Sequence, residues 1–255
     1  MTNKKERFTQ DEIPYEILAK FGLSQEMIDD LPQSVMQRLL SGGTTPLLPL
    51  QTENVDRLMV EVLARIYFVR LNDGTVEVGF IPQLAEEDLS AFSQEQQDEL
   101  EEGNIIIASI ADKGDCYVQL DKELNQVMYV PTTIISQNIY ILTHTFQLEE
   151  DDRKRLEDGD IIEMNVKNHI ISIGIDLTDM TGIRMTDGDK EEWKQEAGID
   201  DLPRYSFGLF GCWQCDEHHV LSYIAEEDYT PELLEEQQRT QSMHAAEAQL
   251  RQLKI

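Results

Sequence analysis

The chain has 255 residues, 40% of them hydrophobic, with 50 acids against 21 bases and a net charge of −29. That length suits one large core or two ordinary ones, and the hydrophobic share excludes a wholly disordered chain. The charge repels nucleic acid and anionic membranes at long range, and three cysteines are too few for a disulfide framework.

The start, Met1-Thr-Asn-Lys-Lys-Glu-Arg7, is polar and leads into Phe8-Thr-Gln rather than an apolar run, so no secretory leader is expected. The longest apolar stretches are strand-sized, and the expected location is the cytoplasm. Charge is uneven along the chain. Residues 1–50 hold 5 bases and 7 acids, a net of −2, whereas residues 149–203 hold 7 bases and 17 acids, a net of −10.

Residues 11–50 read as three short helices. Pro14 opens the first, with Ile17, Leu18 and Phe21 on one face. Gly22 stops it, Ser24 caps the second, and Pro32 opens the third, with Val35, Met36, Leu39 and Leu40 aligned. Leu47-Leu-Pro-Leu50 is an extended apolar segment. Residues 57–81 predict a β-hairpin around Asn72-Asp73-Gly74. A small unit then occurs twice. Ser93–Ile106 recurs as Glu149–Ile162 at an offset of 56, and Val118-Gln-Leu-Asp121 recurs as Ile173-Gly-Ile-Asp176 at an offset of 55. Each unit reads as an acidic helix stopped by Gly103 or Gly159, a strand, a polar turn (Asp112–Asp115; Lys167-Asn168) and a second strand. Val127–Val130 and Ile139–Phe146 read as further strands between the units. Asp187–Gln195 is a short helix with Trp193. Tyr205–Gln214 and Val220–Ala225 form a hairpin around Asp216-Glu-His-His219. Thr230-Pro231-Glu232 starts a tail helix with a thin stripe of Met243, Ala246, Leu250 and Leu253.

The predicted class is α+β: an N-terminal three-helix element, a β-hairpin, two tandem helix-strand-turn-strand units in antiparallel sheet, and a C-terminal hairpin and helix. The expected division is 1–50, 51–90, 91–148, 149–203 and 204–255.

Chemistry is sparse. Cys212-Trp-Gln-Cys215 with His218 and His219 has the spacing of three zinc ligands, the fourth having to come from afar. The competing reading makes Cys212 a buried apolar residue in an aromatic strand and the histidines an exposed turn. A redox role for the CxxC pair is disfavoured inside a hairpin, since such sites open a helix. Asp112–Asp115, Asp176–Asp179 and Asp187-Gly-Asp189 lack the ligand spacing of a calcium loop and read as turns. No phosphate loop, nucleophile elbow or HExxH occurs. His144 and His169 fall in strand-like segments and read as structural imidazoles.

Several phrases resemble a known family: Ile13-Pro-Tyr-Glu-Ile-Leu18, Phe21-Gly-Leu-Ser24, Asp30-Leu-Pro32, Ser41-Gly-Gly-Thr-Thr-Pro46, Thr181-Gly-Ile-Arg184, Tyr205-Ser-Phe-Gly208 and Gly211-Cys-Trp213. They are similar to a domain family of uncharacterised proteins carried on conjugative and other mobile elements of gut anaerobic bacteria. The resemblance implies a setting and supplies no catalytic residues.

The expected function is therefore a non-enzymatic acidic accessory protein of a mobile element, acting by protein–protein contact. One version imitates DNA phosphates and occupies a host DNA-binding or defence protein; another engages conjugation machinery. The expected contact residues are Glu149, Glu150, Asp151, Asp152, Asp158 and Asp160. The alternatives are a nucleic-acid-associated module using residues 11–50 and a metal-dependent enzyme built on Cys212, Cys215 and His218.

Overall fold

The computed structural model of the protein describes residues 7–166, 169–179, 181–195 and 202–252. It is an α+β chain in which short N-terminal helices and a C-terminal helix bracket antiparallel sheets of three strands each.

The three predicted helices form: α1 (Tyr15–Ala19), α2 (Gln25–Asp29) and α3 (Gln33–Leu40). The Ser24 hydroxyl accepts from the Met27 amide at 3.2 Å, and Gly22 takes the left-handed conformation that ends α1. Their buried residues, Leu18, Ile28, Val35, Leu39 and Leu40, cover the sheet that follows. The predicted hairpin is a three-stranded meander, because Leu48–Glu53 pairs with it as β1 beside β2 (Met59–Arg70) and β3 (Val76–Pro82).

The duplicated unit is real in three dimensions, and each copy has a third strand. The first copy is α4 (Gln94–Glu101), β4 (Ile106–Ile110), β5 (Gly114–Asp121) and β6 (Gln126–Pro131). Next come α5 (Thr132–Phe146) and the second copy, α6 (Glu150–Glu157), β7 (Ile162–Val166), β8 (His169–Ile175) and β9 (Ile183–Asp187). Matched residues are the core of each unit: Leu100 and Leu156, Val118 and Ile173, Leu120 and Ile175 are all buried. Both helices end in a left-handed glycine with paired capping bonds, Gly103 to Leu100 and Asn104 to Glu99, then Gly159 to Leu156 and Asp160 to Arg155. The offset falls from 56 to 55 because the loop after Val166 is one residue shorter than that after Ile110. The expected Lys167-Asn168 turn lies outside the described residues.

Ile139–Phe146 is not a strand but the later half of α5. Its Ile and Thr content favours sheet, yet burial of Ile135 and Ile139 against the second unit holds the helix, as tertiary packing commonly overrides propensity. His144 accordingly lies in a helix, its Nδ1 2.8 Å from the Tyr140 carbonyl, and His169 opens β8.

After α7 (Lys190–Gln195), the predicted C-terminal hairpin is also a meander: β10 (Tyr205–Phe207), β11 (Gly211–Cys215) and β12 (Leu221–Ala225). The expected single strand 205–214 breaks at Gly208 because the Asp30 carboxylate takes the Leu209 and Phe210 amides at 2.6 and 2.9 Å. A side chain at Gly208 would strike Asp30. α8 (Pro231–Gln252) begins as predicted, with Thr230 capping Leu233. Of its expected stripe, Met243 is exposed; the side chains of Ala246, Leu250 and Leu253 lie outside the described residues.

Candidate interaction surface

α5 connects the two repeat units and is unlike every other helix here. Thr132-Thr-Ile-Ile-Ser-Gln-Asn-Ile-Tyr-Ile-Leu-Thr-His-Thr-Phe146 contains no Asp, Glu, Lys or Arg in a chain that has 50 acids and 21 bases. By contrast α4 and α6 each bury one leucine and solvate charged residues elsewhere. Pro131 presets the entry to α5, and Gln147 ends it in the left-handed conformation.

The helix rests on β5, β6 and β9 and beside α6 through Ile135 and Ile139. Its other side is uncharged and partly apolar. Ile134, Tyr140 and Ile141 are 52%, 60% and 58% exposed. Positions 134, 137, 141 and 144 share one helical face, on which Ile134 and Ile141 alternate with Gln137 and His144. Polar groups on the last two turns are satisfied internally: the Thr143 and Thr145 hydroxyls donate to the Ile139 and Ile141 carbonyls, both at 2.8 Å. The His144 ring lies over Tyr140 with centroids 4.0 Å apart. The surface thus shows two isoleucines and a tyrosine ring among the uncharged polar side chains of Thr133, Gln137, His144 and Thr145. Water gains little from such a face, and a partner that covers it gains apolar area.

Three residues beyond Phe146 the acids begin. Glu149 precedes α6 without a capping side-chain bond, and Glu150, Asp151 and Asp152 occupy its first turn, where the helix dipole favours them. Of the six acids expected to meet a partner, three are engaged within the chain. Arg153 bonds Glu150 and Glu157 and holds the Glu150 carboxyl below its usual range, and Arg155 pairs with Asp152 and Asp160 at 3.4 and 3.7 Å. Glu149, Asp151 and Asp158 are exposed, with no ion pair among the described residues.

The candidate zinc ligands are not brought together. Three residues apart on β11, Cys212 and Cys215 point to opposite faces, and both are buried. Burial pushes the Cys212 thiol up to about 11 and raises Cys215, the opposite of a thiolate ligand site. His218 stands in the exposed turn. Among the described residues no three or more His, Cys, Asp or Glu side chains are placed to hold a metal ion. His219 instead meets Glu123 at 3.2 Å.

The helices of residues 11–50 turn their apolar sides inward. α2 presents Gln25, Glu26 and Asp29, and α3 presents Gln33, Ser34 and Gln37 with Arg38 half-buried. Glu26 and Asp29 border an open depression closed by Phe210. An acidic α2 gives phosphate nothing to hold. Sequence reasoning missed α5 because its composition reads as strand; the available signal was its fifteen-residue freedom from charge.

No helix of the described residues is long and apolar enough to cross a membrane. No curated protein and no solved structure matches the chain. Residues 8–91 match the model of a family described as a protein of unknown function (DUF4099), a segment that runs from the start of the N-terminal helices past β3.

Proposed function

We propose that this protein is a non-enzymatic, cytoplasmic accessory protein of a mobile genetic element that acts through protein–protein contact. The observation that carries the reading is the uncharged face of α5, with Ile134, Tyr140 and Ile141 more than half exposed in a chain of net charge −29. Ile134, Tyr140 and Ile141 lie within eight residues on one uncharged helix, and a partner that covered them would remove their apolar area from water. The mobile-element setting draws on the resemblance of the phrases around Ile13–Leu18, Asp30–Pro32 and Gly211–Trp213, and conjugation machinery or a host defence protein is the partner class it suggests.

The DNA-imitating version draws less support. Imitation needs unneutralised carboxylates in a regular array, and Arg153 and Arg155 already bind Glu150, Asp152 and Asp160. The test is an affinity capture of the tagged chain from its host at low and high salt, run beside Ile134→Asn/Ile141→Asn. A protein held by the native chain and lost from the double variant supports the reading. Equal capture by both, or turnover of a small molecule by the purified chain, overturns it.

A further inference from the structure

Resting on that interaction reading, we propose that α5 and the first turn of α6 dock one kind of partner: an amphipathic protein helix whose apolar stripe is flanked by lysine or arginine. Two features point to the chemistry. Ile134 and Ile141 lie two turns apart on α5, about 10 Å along its axis at 1.5 Å per residue, with Tyr140 beside Ile141, and they match apolar residues at helical spacing on a partner. Beyond its C-terminal end stand Glu149 and Asp151, exposed carboxylates with no ion pair among the described residues, which a cation on the partner's flank would reach.

Charge decides between occupants. A second copy of the chain would bring two bodies of net −29 together. An anionic bilayer and a nucleic acid are repelled by the same field. A basic amphipathic segment is attracted by the charge and held by the apolar side chains, so its association is fast and salt-dependent while its residence depends on Ile134, Tyr140 and Ile141.

The test uses the full chain and a fluorescein-labelled synthetic peptide of four to five turns, with leucines at i, i+3, i+4 and i+7 and lysines on both flanks. The controls are a scrambled peptide of the same composition and one with glutamate for lysine, all read by fluorescence anisotropy. The lysine peptide binds; the scrambled and glutamate peptides bind at least about tenfold more weakly. Ile134→Asn/Ile141→Asn weakens the lysine peptide about tenfold with an unchanged melting curve, since both side chains are over half exposed. Glu149→Gln/Glu150→Gln/Asp151→Asn narrows the gap between lysine and glutamate peptides without abolishing binding.

Binding of the scrambled peptide as tight as that of the striped one, or indifference to Ile134→Asn/Ile141→Asn, overturns the proposal. So does sedimentation that finds a dimer dissolved by the double variant, which assigns the face to a second copy, or stable binding to phosphatidylcholine–phosphatidylglycerol vesicles. A photo-crosslinker at Tyr140, compared in host cells with one at Val55 on the β1–β2 turn, separates this proposal from the reading beneath it. Adducts at Val55 alone leave a partner but remove α5 as its site; adducts at neither position remove both.

Discussion

Asp30 is the joint on which the two ends of the chain meet, and its removal has a calculable cost. Its carboxylate, 6% exposed, accepts from the Leu209 amide at 2.6 Å, the Phe210 amide at 2.9 Å and the Tyr223 hydroxyl at 2.8 Å. Hydrogen bonds to a charged acceptor are worth about 1.5–3 kcal/mol each, but the β10–β11 turn is open to water and its amides can be rehydrated. Asp30→Ala therefore costs about 3 kcal/mol, and in a chain of this length lowers Tm by roughly 6–12 °C. Asp30→Asn costs nearly as much, because one oxygen becomes an NH2 that faces another donor. Tyr223→Phe removes one bond and costs about 1.5 kcal/mol alone, yet close to nothing once Asp30 is alanine. Urea unfolding followed by tryptophan fluorescence reads the joint directly, since Trp213 Nε1 donates to the Met27 carbonyl at 2.9 Å. The decisive quantity is the coupling in the Asp30→Ala/Tyr223→Phe cycle. Strict additivity, or an Asp30→Ala variant within about 0.5 kcal/mol of the native chain, refutes the reasoning.

Three further outcomes are expected. Arg65, on β2, holds Asp121 at 2.5 Å and Glu123 at 2.5 Å and is almost fully buried, so Arg65→Ala leaves Asp121 without its cation and costs about 3–5 kcal/mol in a urea melt. A loss under about 1 kcal/mol would mean that water reaches that pair. Cys116, Cys212 and Cys215 are buried thiols, so a thiol reagent at neutral pH modifies none at an appreciable rate until the chain unfolds, and zinc analysis gives well below one ion per chain. Rapid native modification or stoichiometric zinc contradicts the geometry at β11. Burial raises Tyr15, Tyr117 and Tyr229 to about 12, above the value of 10 that the unfolded chain has. A raised folded value means that the native state holds protons the unfolded state releases, so this stability is complete below pH 10 and is lost between pH 10 and 12. Tyrosinate absorbance and loss of far-ultraviolet dichroism then rise together; full ionisation with the fold intact argues against it.

Local rules made much of the fold legible. Ser24, Gly22, Gly103, Gly159 and Thr230 act at the ends predicted for them, because a cap is decided by one residue's hydroxyl or its tolerance of a positive φ. The repeat was legible because the matched positions, Leu100 with Leu156 and Val118 with Ile173, are the ones each unit buries. What failed was decided at long range. α5 is a helix because the second unit takes Ile135 and Ile139, and the β10–β11 break is dictated by a carboxylate 179 residues upstream. β9 escaped notice because Ile183-Arg-Met-Thr-Asp187 is short and half polar, and only pairing with β8 makes it a strand. The pairing of Cys212 with Cys215 as ligands failed on strand geometry, in which side chains three residues apart cannot share a face.

The cores also divide the molecule differently from the order of the chain. One cluster joins Phe8, Leu18, Leu39 and Ile66 to Trp213, Cys215 and Leu221, so the N-terminal helices, the first sheet and the last sheet are a single body made from both ends. Leu47 and Val220 bridge its sheets, and Trp213 and Tyr223 reach back to Met27 and Asp30. The two repeat units, with cores of their own, are inserted between β3 and β10 and are fastened to that body at the β5–β6 turn, where Arg65 and His219 both meet Glu123. The segment matched by the family of unknown function, 8–91, is therefore only part of the body, short of Trp213 and of the strands that complete its core. The matched segment lies in the body except at its end, where Leu89 packs into the core of the first repeat unit. α5 belongs to the insert, where it joins the two repeat units and sets an uncharged face in an otherwise acidic chain.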